Sequence, residues 1–238
     1  MALAAAFELF GVSHLIVLAL TVLLPALLVI TARKIDSPRF TRALCWAIAI
    51  VLLTNEAGYY VRGYQVKTWL GFVQSSLPLH LCGIALYVTI AALVTRRQMI
   101  FEMACYWGLV GTPQAILTPT LEFDFPDYWF WQFFICHCGI VVGVVFAIGA
   151  LKLRPRRGSM WRVFAITTVC LITIGAFDFL TGANYMYLRE APKADSPLVA
   201  PGWPWHIIIA CAGLLAGFWI VELLLARKAP KAQGRESV

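Results

Sequence analysis

The chain has 238 residues, 61% hydrophobic and 13% charged, with a mean hydropathy of +0.80 and a formal net charge of +7. A soluble domain of this length cannot hide that much apolar surface. The basic residues sit in short clusters between apolar runs, which argues against a nucleic-acid-binding surface, and the composition reads as a polytopic membrane protein.

A bilayer crossing needs about 20 mostly apolar residues. Stretches of that kind fall at 7–32, 41–61, 76–95, 99–118, 130–151, 161–183 and 204–226. The expected fold is therefore all-α: one bundle of seven transmembrane helices over residues 1–226, followed by a basic, solvated tail at 227–238. The start carries Glu8 and lacks both a basic region and a small-residue cleavage site, so the first span is expected to stay in the mature protein. That span carries His14. The second holds Asn55 and Glu56, with Tyr59 and Tyr60 one turn further on. The third opens with "SSLPLHLC", placing Pro78, His80 and Cys82 at its mouth. The fourth contains Thr112, Pro113 and Gln114, and the fifth contains Cys136, His137 and Cys138. Asp178 and Thr181 close the sixth, Asn184 and Tyr185 follow it, and His206 opens the seventh. Pro78 and Pro113 are expected to loosen their helices, while Gly108 with Gly111 and Gly139 with Gly143 are expected to let helices approach closely.

Lys and Arg crowd alternate connections, in "ARKIDSPRFTR", "TRRQ", "KLRPRRGSMWR" and the tail "ARKAPKAQGRESV". Assigned by side, 15 lie on one face and 4 (Arg62, Lys67, Arg189, Lys193) on the other. Under the positive-inside rule this predicts a multi-pass cell-membrane protein with an outside N-terminus and a cytoplasmic C-terminus. The seven cysteines are an odd number and lie almost wholly within spans, so no disulfide framework is expected. Glu102 and Glu222 fall near the cytoplasmic ends, where Arg96, Arg97 or Arg227 could meet them.

Polar side chains inside a bilayer are costly and mark function by default. With this topology all four histidines, Glu56, Asp178 and the embedded amides share one depth, in the outer half. One polar cavity opening to the outer leaflet explains that pattern, and interhelical hydrogen bonds that only join the bundle are the alternative. In a nucleophilic scheme Cys82 attacks. His80 is a poor base for it, because residues two apart on a helix diverge, so the base is expected from His137 on another span. Glu56 or Asp178 could orient that base, and Asn55, Gln114 or Thr112 could donate to an oxyanion. His80, Asn184, Tyr185 and His206 would line the mouth. Alternatives are a zinc-dependent lipid hydrolase built from the histidines and acids, although no HxxxH pair is present, and a lipid-binding or transport protein. A cavity on that side would not meet cytosolic acyl-CoA. The expected partners are therefore membrane phospholipids and lysophospholipids, with no metal, no soluble cofactor and no nucleic acid.

The segments "LPLHLC", "FEMACYWGLVGTPQAILTP", "FPDYWFWQFFICHCGI", "GANYMYLREAP" and "GWPWHI" resemble those of the YwaF family of bacterial integral membrane proteins, in order and at similar spacing across spans two to seven. That family is similar to the eukaryotic transmembrane protein 164 family. The resemblance implies transfer of acyl chains onto lyso-ether phospholipids, with a cysteine and a downstream histidine as the catalytic pair. By position these fall on Cys82 and His137. Cys136 and Cys138 flank that histidine in this chain.

Overall fold

The computed structural model describes residues 5–192 and 201–226. The expected tail at 227–238 and Lys193 lie outside the described residues. The regular structure among those residues is all helical, with one isolated antiparallel bridge between Ala6 and Phe123. The long helices are α1 (Val12–Ile35), α2 (Pro38–Val66), α7 (Tyr128–Gly149), α8 (Ser159–Thr181) and α9 (Trp205–Leu225), all long and apolar enough to cross a membrane. Shorter ones are α3 (Trp69–Ser75), α4 (Leu81–Thr95), α5 (Gln98–Tyr106) and α6 (Thr112–Leu117).

The third and fourth expected spans differ most from the sequence reading. Residues 76–80 form a turn and not the first turn of a helix, so α4 starts at Leu81 and has 15 residues. Residues 98–117 form one continuous rod, but Trp107–Gly111 within it is a π-helix. Pro113 supplies no N–H and its ring crowds the carbonyl four residues back. The wider turn, with the Thr112 N–H reaching Trp107 O, carries the ladder around that proline.

Helix ends follow local chemistry. Ser37 caps α2, with Pro38 in its first turn, and Asp127 caps α7 by accepting from Trp129 N–H at 2.8 Å. Gly182 ends α8 in the left-handed region, φ 77°, which glycine adopts without a Cβ penalty.

α7 is the central helix, packed against α1, α2, α4 and α6. Gly139 and Gly143 let it approach closely, because a Cβ there would strike Leu52 and Thr89 respectively. α9 packs against α8, α5 and the π segment, with Gly217 directly over Val110. The core runs through Leu52, Leu86, Leu93, Phe101, Trp107, Ile140 and Phe146. α1 and α9 turn many exposed leucines, isoleucines and valines outward, as a lipid-facing surface requires.

The basic connections converge at one end of the bundle. There Glu102 is fully buried and meets Arg156 at 2.7 Å and Arg162 at 3.5 Å, not Arg96 or Arg97. Glu222 caps the start of α8 by accepting from the Gly158 and Met160 N–H groups, and it also receives the Tyr106 hydroxyl. These acids hold helix ends together, Glu102 through the half-exposed Arg156 and Arg162 and Glu222 through the first amides of α8.

Candidate functional site

The opposite end of the bundle holds the 67–80, 118–127 and 182–192 connections and the start of α4. Tyr185 fixes the turn before α4: its hydroxyl accepts from Leu77 N–H at 2.9 Å and donates to Val73 O at 2.9 Å. Burial pushes that hydroxyl above the usual tyrosine range, so it remains a donor. Pro78 then folds onto the first turn of α4, and Gly83 suits that close approach, because a Cβ there would sit 3.2 Å from Pro78 Cα and push it back. His80 is the N-cap residue, but its side chain makes no capping bond. The N–H groups of Leu81, Cys82 and Gly83 therefore precede the helical ladder and stay uncapped. Cys82 lies at the second position of this helix, next to the partial positive charge of its N-terminus.

The Thr112 hydroxyl donates to Trp107 O at 3.4 Å and lies beside the Cys82 thiol, and Cys136 neighbours both Cys82 and Glu56. On α7, Cys136 and His137 are about 100° apart, on either side of the inward-facing Ile140. His137 Nδ1 lies 2.7 Å from Phe133 O, so it carries the proton and donates. In the neutral ring, Nε2 is then the free acceptor, the form a general base needs. Its ring also stacks on Phe133 at 4.1 Å, which locks the rotamer. His80 has the complementary tautomer: its Nδ1 accepts from Met186 N–H at 3.2 Å, leaving Nε2–H as a donor. The side chain of Glu56 is buried, with the Tyr60 hydroxyl against it, and Tyr60 in turn lies 3.5 Å from the Tyr87 hydroxyl.

Other predicted residues are tied elsewhere. Asn55 donates its amide to Gln132 O at 3.1 Å, joining α2 to α7. Asn184 organises its own loop by donating to Glu190 O and accepting from the Arg189 and Glu190 N–H groups. His206 faces Tyr187 O at 2.8 Å and Gly202 O at 3.1 Å. Gln114 is exposed. His14 is fully buried but bound to backbone on both sides, accepting from Phe10 N–H and donating to Ile116 O. Asp178 is fully buried at the end of α8, with neither oxygen in a well-formed hydrogen bond; the Tyr185 N–H and Arg189 are the donor and cation it senses. The expected single cavity is thus divided. One group brings together Cys82, Thr112, Cys136 and Glu56, with His137 one residue along α7 from Cys136 and beside His80, while Asn55, Asn184, His14 and His206 form separate ties. Among the described residues, no three of His, Cys, Asp and Glu come together closely enough to hold a metal ion.

Sequence reasoning missed two features of this site. The uncapped amides of α4 follow from the turn at 76–80, for which Pro78 was the available signal. The other is an apolar cleft of about 430 Å³ between α1, α2 and α7, walled by Leu20, Leu24, Leu44, Ile135, Cys138 and Gly139 among others.

Comparison with known proteins places these features in a family. The sequence model of the TMEM164 family matches residues 9–222, nearly the whole described chain. The chain belongs to the TMEM164 family. An uncharacterised protein of Treponema pallidum (strain Nichols) is 26% identical over 210 residues, covering 87% of this chain and 85% of that protein. No solved structure matches. The TMEM164-family match includes every residue placed around Cys82 and excludes the tail.

Proposed function

We propose that this TMEM164-family protein is an integral membrane lipid acyltransferase that moves an acyl chain from a phospholipid to a lysophospholipid through an acyl-cysteine. The observation that carries the reading is Cys82 at the uncapped N-terminus of α4, with Thr112 against it and with His137 held on the facing helix in a base-competent tautomer.

In this scheme the Cys82 sulfur attacks the ester carbonyl carbon of the donor, and its proton passes to His137 Nε2. The Cys82 and Gly83 N–H groups and the Thr112 hydroxyl receive the developing oxyanion. The ester C–O bond breaks, the leaving lyso-lipid oxygen takes the proton from His137, and a thioester remains on Cys82. An acceptor hydroxyl then gives its proton to His137 Nε2 and attacks the thioester carbonyl. The Cys82–acyl bond breaks, and the thiolate recovers the proton. Glu56 and the Tyr60–Tyr87 pair keep the pocket polar, whereas Asn55 joins α2 to α7 and Asn184 and His206 order the 182–192 connection. The cleft beside Cys138 and Gly139 is a seat for the acyl chain, one face of α7 away from His137.

For topology the proposal keeps seven crossings. α4 and the 98–117 rod are the third and fourth, the N-terminus is outside and the C-terminus cytoplasmic in a bacterial cell membrane. The alternation of basic connections supports it. A zinc-hydrolase reading has less support, because His14 and His206 are each bound to backbone carbonyls.

The reading is tested in proteoliposomes holding a donor phospholipid with a labelled acyl chain and an unlabelled lysophospholipid, without coenzyme A. Wild type transfers label and Cys82→Ala does not. Equal transfer by the two proteins would end the proposal.

A further inference from the structure

At the arginine-rich end, a recess of about 250 Å³ opens between the first turns of α2 and the last turn of α4, lined by Arg42, Cys45, Trp46, Leu93, Val94 and Arg96. It is far from the site above: Cys82 and Arg96 are at opposite ends of α4, which is about 22 Å long. The recess therefore stands independently of the acyl-transfer reading.

Two observations distinguish it from an ordinary basic surface. Among the described residues its cations have no acidic partner. The ion pairs of the described residues engage Arg156, Arg162 and Arg189, and no Asp or Glu lines the recess. The pocket is also amphipathic. Arg96 leaves the helix axis in the left-handed conformation, φ 55°, and its guanidinium lies against the Cys45 thiol at the bottom of the recess. Buried Leu93 forms part of the floor, while Trp46 and Val94 are exposed at the rim. Two unpaired guanidiniums above an apolar edge match a phosphate diester with hydrocarbon attached. Guanidinium is suited to bidentate phosphate contact, and basic pockets between membrane helices take acidic headgroups. A free inorganic anion would make no use of Trp46 and Val94.

We propose that Arg42 and Arg96 seat the phosphate of an anionic phospholipid from the leaflet at this end, with its chains leaving past Trp46 and Val94. The test is native mass spectrometry of the full chain released from nanodiscs containing phosphatidylcholine and phosphatidylglycerol. Wild type retains phosphatidylglycerol adducts. Arg42→Gln/Arg96→Gln loses them by about 30-fold, the loss expected for two juxtamembrane arginines. Arg39→Gln/Arg157→Gln, which removes the same charge from the same end outside the recess, keeps them. If the first variant does not fold, Arg42→Lys/Arg96→Lys is read in its place; it keeps the charge but loses the bidentate fork, and adducts fall severalfold. Adducts undiminished in the folded recess variant, equal loss in the Arg39/Arg157 control, or displacement of the lipid by millimolar inorganic phosphate would each overturn the proposal.

Discussion

Replacing Arg156 with methionine isolates one buried charge. Glu102 has no exposed surface. Its Oε1 accepts from Arg156 Nε at 2.7 Å, from the Arg156 backbone N–H at 3.1 Å and from Gln98 Nε2 at 3.0 Å, while Oε2 accepts from Arg156 Nη2 at 2.9 Å. Methionine keeps the aliphatic stem and removes the guanidinium. The backbone N–H, the Gln98 amide and the Arg162 contact at 3.5 Å survive. Deleting one partner of a buried pair costs about 3–5 kcal/mol. The remaining donors, and an Arg156 side chain that is itself 44% exposed, put this case near the lower end, about 3 kcal/mol. For a chain of this size that lowers the melting temperature of purified protein in detergent by about 6–12 °C. Adding Glu102→Gln removes the uncompensated charge, so the double variant melts within about 4 °C of wild type. Wild-type melting in Arg156→Met, or a double variant less stable than the single, would refute the claim that charge compensation at Glu102 joins α5 to the 152–158 connection.

Three further outcomes follow from the same geometry. His137→Asn keeps a donor near Phe133 O but removes the Nε2 position, so labelled-acyl transfer falls by about 10²–10⁴-fold with little change in melting; a rate within twofold of wild type would remove His137 from the mechanism. His14→Ala leaves the Ile116 carbonyl and Phe10 N–H without their shared partner and destabilises by about 1–3 kcal/mol per unsatisfied group, read as a lower melting temperature, while transfer per folded molecule is unchanged. Gly217→Ala drives a Cβ into Val110 and costs about 1–3 kcal/mol of packing strain, which Val110→Ala relieves in the double variant.

The sequence exposed depth well and direction poorly. Runs of apolar residues located α1, α2, α7, α8 and α9, because length and hydropathy are sufficient for a helix that faces lipid over much of its surface. Depth along each run also placed His14, Glu56, Cys82, His137 and His206 at one end of the bundle. Azimuth was not readable in the same way. With nearly every position apolar, no polar stripe marks which face of α1 or α9 looks inward, so His14 and His206 could not be separated from His137 until their carbonyl partners were visible. The start of α4 was misplaced for a related reason. "LPLHL" is mostly apolar, Pro78 is its one breaker, and the tie that fixes it as a turn comes from the Tyr185 hydroxyl, 108 residues from Leu77 in sequence. The π segment at Trp107–Gly111 has no composition of its own; it is the backbone's response to Pro113 two residues later.

The acyl-cysteine is the species on which the functional account depends, and intact mass spectrometry after incubation with a phospholipid of one defined acyl chain detects it directly. The account predicts a gain of one acyl group in place of one hydrogen, on the peptide containing Cys82, absent in Cys82→Ala and retained in Cys136→Ser. An adduct that maps to Cys136, or that persists without Cys82, would contradict it.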